Sequence, residues 1–455
     1  MNIRKFKKFK QSTTQTILLS FFLAIIAGSI LLSLPISTAD GKGIPYIDAL
    51  FTSTTSICVT GLVTVSTVNT WSIFGQAVIL LLIQIGGLGI ITIMSGFMIL
   101  LNQKINMKDR LLIQDAFNLN TLSGIVKFVK KVLKGTFIIE GTGALLYMTV
   151  FIPDFGLKGI WISIFNSISA FCNAGIDIIG DDSLCRYVHN PIINLTTAFL
   201  IISGGIGYIV WWDLLRVLPN IKSQKSKCFR KLTLHSKIAI ATSVILIFSG
   251  TILYLIFEYN NPATIKDFNI FEKIQASFFQ SVTTRTAGFA TIPQQNFTNE
   301  SSLVTLILMF IGGSPVGTAG GVKTVTVAVL AATTLSIIRN QDYTVLFQRT
   351  ISKEAINKSI AVISVAFTVL FISTLLLSSV IEADIIDIMF ETVSATATVG
   401  LSRNLTSSLN LLGKIIIIFT MYLGRVGPIS FAIILNMKNT HKKYVKDPTE
   451  DISVG

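Results

Sequence analysis

The chain has 455 residues, of which 51% are hydrophobic and only 13% are charged, whereas about 25% of the residues of a typical soluble domain are charged. Residues 11–39, 49–103, 238–257, 301–322 and 359–381 contain no Asp, Glu, Lys or Arg. Each stretch is long enough to supply the roughly 20 apolar residues of a transmembrane helix. The composition therefore excludes an ordinary soluble domain and predicts an integral membrane protein.

The predicted elements repeat four times along the chain. Each quarter contains a long apolar helix, a short half-apolar segment and a second long apolar helix. In chain order these are 15–36, 47–58 and 72–101; 135–152, 160–172 and 191–215; 236–257, 271–284 and 302–337; and 358–381, 386–397 and 413–437. The first helix is not interpreted as a signal peptide, because no small-residue cleavage site follows its apolar run.

The short segments are predicted to be re-entrant. At about 1.5 Å per residue, a helix of about 12 residues cannot cross a bilayer. We therefore expect an all-α membrane protein with eight transmembrane helices and four re-entrant pore helices. The expected units are four repeats, each of the last three with its preceding cytoplasmic link, and a cytoplasmic tail: 1–102, 103–217, 218–338, 339–437 and 438–455.

Each short segment ends at a glycine, and the four glycines are almost equally spaced. Gly61, Gly175, Gly288 and Gly400 are separated by 114, 113 and 112 residues, and each follows a Phe by ten residues. A fixed period indicates a repeated structural unit, here arranged with pseudo-fourfold symmetry around a pore. The alternative, that these glycines only allow close helix packing, does not account for the shared spacing and the shared Phe.

Four glycine-containing strands can form a cation site from main chain alone. Glycine permits positive φ, which turns successive carbonyls toward one axis, and rings of carbonyl oxygen can replace the hydration shell of a cation. The C-terminal ends of the short helices, which carry partial negative charge, would face the same axis. Residues 59–62, 286–289 and 398–401 contain no Asp or Glu, and Asp177 lies just outside the second strand.

The basic residues predict the orientation. The termini and the three loops between quarters hold 27 of the 37 Lys and Arg residues. Because Lys and Arg accumulate on cytoplasmic loops, both termini are expected in the cytoplasm and the short segments enter from outside. This distribution accounts for the net charge of +14 without a nucleic-acid partner.

The motifs at the glycines resemble a known family. Cys58-Val-Thr-Gly-Leu62, Asn173-Ala-Gly175, Thr284-Arg-Thr-Ala-Gly-Phe289 and Thr398-Val-Gly-Leu401, within the fourfold pattern, resemble the Trk/Ktr/HKT superfamily of potassium transporters, and the membrane subunits of its bacterial Ktr branch most of all. The resemblance covers essentially the whole chain. It implies a K⁺ filter of main-chain oxygens at Val59, Thr60, Gly61, Asn173, Ala174, Gly175, Thr286, Ala287, Gly288, Thr398, Val399 and Gly400. Glycine rather than serine at position 61 implies a preference for K⁺ over Na⁺.

A second glycine pattern lies in the second helices. Gly86-Gly87-Leu88-Gly89 matches Gly204-Gly205-Ile206-Gly207, and the third quarter has Gly312 to Gly321 with Pro315, which predicts a helix break in mid-membrane. A nucleotide-binding loop is disfavoured because G-x-x-x-x-G-K-[ST] is absent. The resemblance implies an intramembrane gate made of Gly312, Gly313, Ser314, Pro315, Gly317, Thr318, Ala319, Gly320, Gly321 and Lys323, with Arg425 from the fourth quarter.

Several charged residues lie in or next to predicted membrane segments and need an explanation, because intramembrane charge is costly. Arg425 is expected to face the pore beneath the filter, with a structural clamp on loop carbonyls as the alternative. Arg285 is expected to brace filter carbonyls from behind, with Glu391 as its counter-charge. For Glu140, solvation at a helix end and a buried pair both stay open.

The resemblance also implies partners. It implies a homodimer in the bacterial plasma membrane, with one pore per protomer, on a cytosolic ring of nucleotide-binding RCK subunits of the KtrA or KtrC type. The basic loops would fit such a ring or anionic lipid equally well. No covalently bound cofactor is expected; K⁺ is the transported ion, and Na⁺ is a candidate activator. A coupled secondary transporter is the alternative, disfavoured because the repeats are not inverted. No convergent His, Cys or carboxylate set indicates an enzyme.

Overall fold

A computed structural model describes residues 13–101, 106–116, 124–217 and 228–427. The helices of the first half are α1 Thr13–Ser33, α2 Tyr46–Cys58, α3 Thr67–Thr70, α4 Ile73–Leu88, α5 Ile90–Leu100, α6 Met107–Ala116, α7 Ile125–Phe155, α8 Lys158–Cys172, α9 Pro191–Gly205 and α10 Tyr208–Val217. Those of the second half are α11 Cys228–Lys231, α12 Leu234–Glu258, α13 Ile270–Thr283, α14 Asn299–Phe310, α15 Thr324–Ile338, α16 Lys353–Ser378, α17 Ile385–Ala397 and α18 Leu411–Val426. A hairpin of β1 Val345–Leu346 and β2 Arg349–Thr350 precedes α16.

The predicted all-α fold of four repeated units is confirmed. Within the described ranges, α1, α7, α12 and α16 are each long and apolar enough to cross a membrane, and the bent pairs α4–α5 and α9–α10 pass the same test together. The short helices α2, α8, α13 and α17 follow these long helices, one in each quarter. The tail 438–455 and the predicted end of the last helix, residues 428–437, lie outside the described residues.

Each second helix begins with a polar cap. The side chains of Ser72, Asn190, Thr298 and Asn410 accept hydrogen bonds from backbone N–H groups of the first turn of α4, α9, α14 and α18. Such caps satisfy donors that have no partner within the helix. The same device at the same place in all four quarters fixes where the chain re-enters the membrane after the filter.

Small residues bring each long helix close to its short helix. Ser53 of α2 donates to the Ile25 carbonyl of α1 at 2.7 Å, and Ser281 of α13 donates to Ile247 of α12 at 2.8 Å. A Cβ at Gly28 would stand 2.5 Å from the Ser53 hydroxyl. Small residues at helix interfaces allow this close approach in membranes, so Gly28 lets α1 and α2 pack closely enough for the Ser53 hydrogen bond.

The second helices are not continuous, which corrects the predictions of single helices at 72–101 and 191–215. The α4–α5 pair bends by 96° and the α9–α10 pair by 98°. The breaks fall at Gly89, with φ of 83°, and at Gly207, with φ of 95°, values that a right-handed helix does not contain. The predicted break of the third quarter is present as a loop between α14 and α15. The helix α18 ends at Val426, and the next residue, Gly427, has a φ of 92°.

Candidate functional site

The four predicted filter strands share one backbone pattern. The residue after each of α2, α8 and α17 is left-handed, with φ of 54° at Val59, 60° at Asn173 and 53° at Thr398. Thr286 takes the same conformation, with φ of 65°, at the aligned place in the third quarter. Two residues later φ is again positive: 97° at Gly61, 65° at Gly175, 81° at Gly288 and 95° at Gly400.

The amide groups of these strands are tied back to the short helices. The N–H groups of Thr60, Ala174 and Val399 each donate at 2.8 Å to a carbonyl five residues earlier, and that of Ala287 donates to Thr283 at 3.0 Å. The Gly61 and Gly400 N–H groups donate to the hydroxyls of Thr55 and Ser394, both at 2.9 Å. The backbone N–H groups of these strands thus point toward the short helices. The carbonyl oxygens of the same strands remain available on the side that faces away from those helices.

The four glycines meet in a closed ring. A Cβ built on Gly61 would stand 2.5 Å from the Ala174 oxygen, one on Gly175 would stand 2.6 Å from that of Ala287, and one on Gly288 would stand 2.5 Å from that of Val399. A Cβ on Gly400 would meet the Thr60 oxygen, which returns to the first quarter. The structure thus brings together the twelve predicted filter residues as four strands around one centre.

An acidic mouth lies on one side of this ring. A cavity of about 550 Å³ is lined by the four filter glycines and by Asp177, Asp181 and Asp182. Burial raises the pKa of Asp177 to about 6, although hydrogen bonds from Ser183 and from the Ile179 backbone oppose the shift. No Lys or Arg is among the described residues that line the cavity, so it favours cations. Asp181 and Asp182 were not predicted, because only the second quarter has them.

The loop 311–323 lies directly on the other side of the ring. Thr318 Oγ1 lies 3.1 Å from the Phe171 carbonyl at the end of α8, and the Gly320 N–H lies 3.2 Å from Thr286 Oγ1 in the third filter strand. The Ser314 N–H donates to the Gly205 carbonyl at the end of α9, at 2.8 Å. The predicted gate residues therefore lie together beneath the filter, in contact with its second and third strands.

Two cationic side chains hold this loop. Arg425 of α18 donates to the Thr318 carbonyl at 2.6 Å and to the Gly86 carbonyl of α4. Lys323 Nζ donates to the Ala319 carbonyl at 2.6 Å. The clamp on loop carbonyls, considered above as the alternative for Arg425, is thus present, and it lies beneath the filter as the resemblance implied.

Two of the remaining expectations for buried charges were wrong. Arg285 donates to Ser243 and to the Gly312 carbonyl, not to filter carbonyls. Glu391 accepts hydrogen bonds from Ser402 at 2.8 Å and Thr406 at 2.6 Å and is not its counter-charge. Glu140, in the middle of α7, accepts a bond from the Gln84 amide at 3.2 Å and is not solvated at a helix end. The partners of Arg285 lie on α12 and in the loop 311–323, those of Glu391 lie beyond the end of α17, and that of Glu140 lies on α4, so local sequence does not reveal them.

Comparison with known proteins decides the family. The TrkH family, described as cation transport protein, matches residues 3–446. The chain belongs to the TrkH family of cation transport proteins. The expected membership of the Trk/Ktr/HKT superfamily is therefore confirmed, and the family is one of transporters.

Individual TrkH-family relatives match over the whole length. The chain is 37% identical to the potassium/sodium uptake protein NtpJ of Enterococcus hirae, over 100% of this chain and 99% of the relative. It is also 37% identical to the Ktr system potassium uptake protein B of Bacillus subtilis, over 97% of this chain and 96% of the relative. The fold matches a crystal structure of the potassium transporter TrkH from Vibrio parahaemolyticus with a TM-score of 0.74 at 18% identity, covering 95% of this chain and 86% of that one.

Proposed function

We propose that the protein takes up K⁺ through a gated pore at the centre of the four quarters. The observation that carries this proposal is the closed ring in which each filter glycine meets the carbonyl oxygen of the next quarter. Carbonyl rings replace the hydration shell of a cation. The Thr60 and Thr398 hydroxyls are buried in these strands and have no hydrogen-bond partner among the residues that the structure describes, as expected of a path that a cation occupies.

The driving force would be the membrane potential, since moving one elementary charge through 100 mV yields about 2.3 kcal/mol. The acidic mouth would concentrate cations outside, the ring would select among them, and the loop 311–323 would close the path beneath it. Arg425 and Lys323 would add an electrostatic barrier at the same place. No step makes or breaks a covalent bond.

The assembly and orientation belong to this proposal as well. Both termini would lie in the cytoplasm, and the protein would form a homodimer on a ring of nucleotide-binding RCK subunits of the KtrA or KtrC type. Likeness to a Ktr system protein over 97% of this chain supports the ring of RCK subunits. The bias of Lys and Arg toward one side of the membrane supports the orientation. Na⁺ would act as an activator, not as the main cargo.

A coupled cation transporter is the competing function. The relative named as a potassium/sodium uptake protein gives it a specific basis. The four filter strands, however, share one hand and one direction of ring closure, whereas many coupled transporters rock two inverted halves about a midplane site. Parallel repeats around one ring favour a pore.

Flux measurements decide between the two. The purified protein in liposomes should pass ⁸⁶Rb⁺ down an imposed potential with no Na⁺ or proton gradient, and external K⁺ should compete with ⁸⁶Rb⁺ better than Na⁺ does. The same gene should restore growth at low K⁺ to a bacterium that lacks K⁺ uptake. Flux that requires a Na⁺ or proton gradient would overturn the pore and favour coupling.

A further inference from the structure

The guanidinium of Arg285 is buried between α12 and the loop 311–323. Arg285 directly precedes the left-handed Thr286 of the third filter strand, and 7% of its surface is exposed. One terminal nitrogen lies 3.1 Å from the Ser243 carbonyl of α12. The other lies 3.2 Å from the Ser243 hydroxyl and 3.4 Å from the Gly312 carbonyl.

No carboxylate compensates this charge within the described ranges, where none of the ion pairs includes Arg285. A cavity of about 20 Å³ beside the guanidinium is lined chiefly by apolar side chains, including Ile202, Ile247 and Val282. A buried charge depends on the hydrogen bonds that remain to it. The Ser243 and Gly312 oxygens are therefore the groups that fix the guanidinium.

Gly312 lies at the neck of the gate loop. Its N–H donates to the Val322 carbonyl at 3.0 Å, and the next carbonyl, that of Gly313, accepts from the Thr324 N–H at 3.0 Å. These two bonds close the base of the loop where it leaves α14 and enters α15. A donor to the Gly312 carbonyl therefore holds the place from which the loop emerges.

We propose that Arg285 is a positioning residue for the gate: it holds the neck of the loop against α12. The inference rests on the proposed gating function of the loop. The backbone of Arg285 continues into the third filter strand, and its side chain donates hydrogen bonds to the neck of the loop. One residue therefore joins the filter strand to the loop. Loss of the guanidinium should release the neck and raise the flux of the closed pore without changing which ion passes.

The test compares Arg285→Gln, Arg285→Lys and Ser243→Ala in liposomes, with Arg403→Gln as the matched control. Arg403 also bridges elements through its guanidinium, to Asp387 and Ser302, but it does not contact the loop. The readouts are ⁸⁶Rb⁺ flux without any regulatory subunit and the K⁺/Na⁺ permeability ratio. Monodisperse elution in detergent selects the variants that fold.

We expect Arg285→Gln to raise basal flux about tenfold, as for the loss of one hydrogen bond to a charged group, with an unchanged permeability ratio. Arg285→Lys should restore much of the closed state, and Ser243→Ala should raise flux less than Arg285→Gln. Arg403→Gln should leave both readouts unchanged. If Arg285→Gln does not fold, Ser243→Ala carries the test.

Two outcomes would overturn the inference: basal flux that stays at the wild-type level in both Arg285→Gln and Ser243→Ala, or a permeability ratio that changes while basal flux does not. Deletion of residues 314–320 separates this result from failure of the gate itself. If the deletion raises flux and the Arg285 variants do not, only the positioning role is wrong. If the deletion leaves flux unchanged, the proposed gate is wrong.

Discussion

The Cα of Gly61 faces the backbone carbonyl of Ala174 so closely that a Cβ at position 61 would stand 2.5 Å from that oxygen. The contact joins the first quarter to the second, and its three counterparts complete the ring. Gly61 also has a φ of 97°, which side chains with a Cβ rarely adopt. A substitution here must therefore displace the carbonyl oxygens of two quarters together.

Gly61→Ser should reduce discrimination between K⁺ and Na⁺, because displaced carbonyls no longer replace the K⁺ hydration shell as a matched set. The measurement is the ratio of K⁺ to Na⁺ permeability in liposomes. Gly141→Ala is the matched control, since a Cβ on Gly141 in α7 would meet nothing within 4 Å. An unchanged ratio in a folded Gly61→Ser variant would contradict the filter assignment.

The acidic mouth should make uptake depend on ionic strength. Asp181→Asn removes one of the three carboxylates that line the cavity outside the ring, so the apparent KM for K⁺ should rise at low salt. Screening at high salt should abolish the difference, because the Debye length falls to about 3 Å at 1 M. Asp40→Asn removes an equal charge outside the cavity lining and should leave KM unchanged. A salt-independent defect would indicate a structural role instead.

Asp177 should give uptake a pH dependence. Burial raises its pKa to about 6, so the carboxylate is charged above that pH and becomes neutral below it. Uptake at limiting K⁺ should therefore fall as external pH decreases from 7 to 5, with its midpoint near the Asp177 pKa. Uptake by the Asp177→Asn variant should be slower at pH 7 and should not fall between pH 7 and pH 5. A step that persists in Asp177→Asn would assign the titration to another group.

A thiol in the same mouth reports which side of the membrane it faces. Cys185 lines the cavity, whereas Cys58 and Cys172 are buried. Burial, with the charges of Asp182 and Asp177, raises the pKa of Cys185 to about 12. The thiolate is the reactive species, so a membrane-impermeant thiol reagent should react slowly, and faster at higher pH.

In a Cys228→Ser background, reagent added outside intact cells should decrease K⁺ uptake, and Cys185→Ser should abolish the effect. Reaction from the cytoplasmic side of inverted vesicles only would reverse the proposed orientation. Buried Cys58 and Cys172 remain in every variant and serve as the internal control for access.

Repetition explains how much of this architecture the sequence predicts. The shared geometry of the four glycine strands was predictable because their glycines recur at a fixed period, and a fixed period reports a shared backbone geometry. The bends at Gly89 and Gly207 were not, since Gly-Gly pairs in a membrane helix are equally compatible with close packing. Whether the helix ends near such a pair depends on what contacts it: the break falls at Gly207, two residues after Gly205, where a Cβ would collide with the Pro315 carbonyl of the loop.

Side-chain partners of the unique residues were the least predictable. Arg285 and Glu391 were paired on charge alone, but each bonds to neutral groups, and the Arg285 partners lie 42 and 27 residues away in the chain. In a membrane, interhelical hydrogen bonds to carbonyls and hydroxyls compete with ion pairs. Charge complementarity in the sequence therefore does not identify which partner a buried residue selects.

An ion pair between two residues that lie 366 positions apart in the chain joins the last quarter to the first. Lys414 of α18 binds Asp48 of α2 at 2.5 Å, and Thr64 donates to the same carboxylate oxygen at 2.8 Å. The two side chains are 16% and 9% exposed. Removing one partner of such a buried pair leaves an uncompensated charge, which costs about 3–5 kcal/mol.

Asp48→Asn and Lys414→Met should each lower the melting temperature in detergent markedly, and the double variant should lose less than the sum of the two, because neither residue then leaves a buried charge alone. His189→Gln breaks a pair with Glu272 in which His189 is 56% exposed, and it should shift the melting temperature little, since exposed pairs contribute about 0–1 kcal/mol. Additive losses in the double variant would show that the two residues stabilise the ring independently. Since the pair joins the last quarter to the first, the single variants should also lower the K⁺/Na⁺ permeability ratio, which the same liposome assay measures.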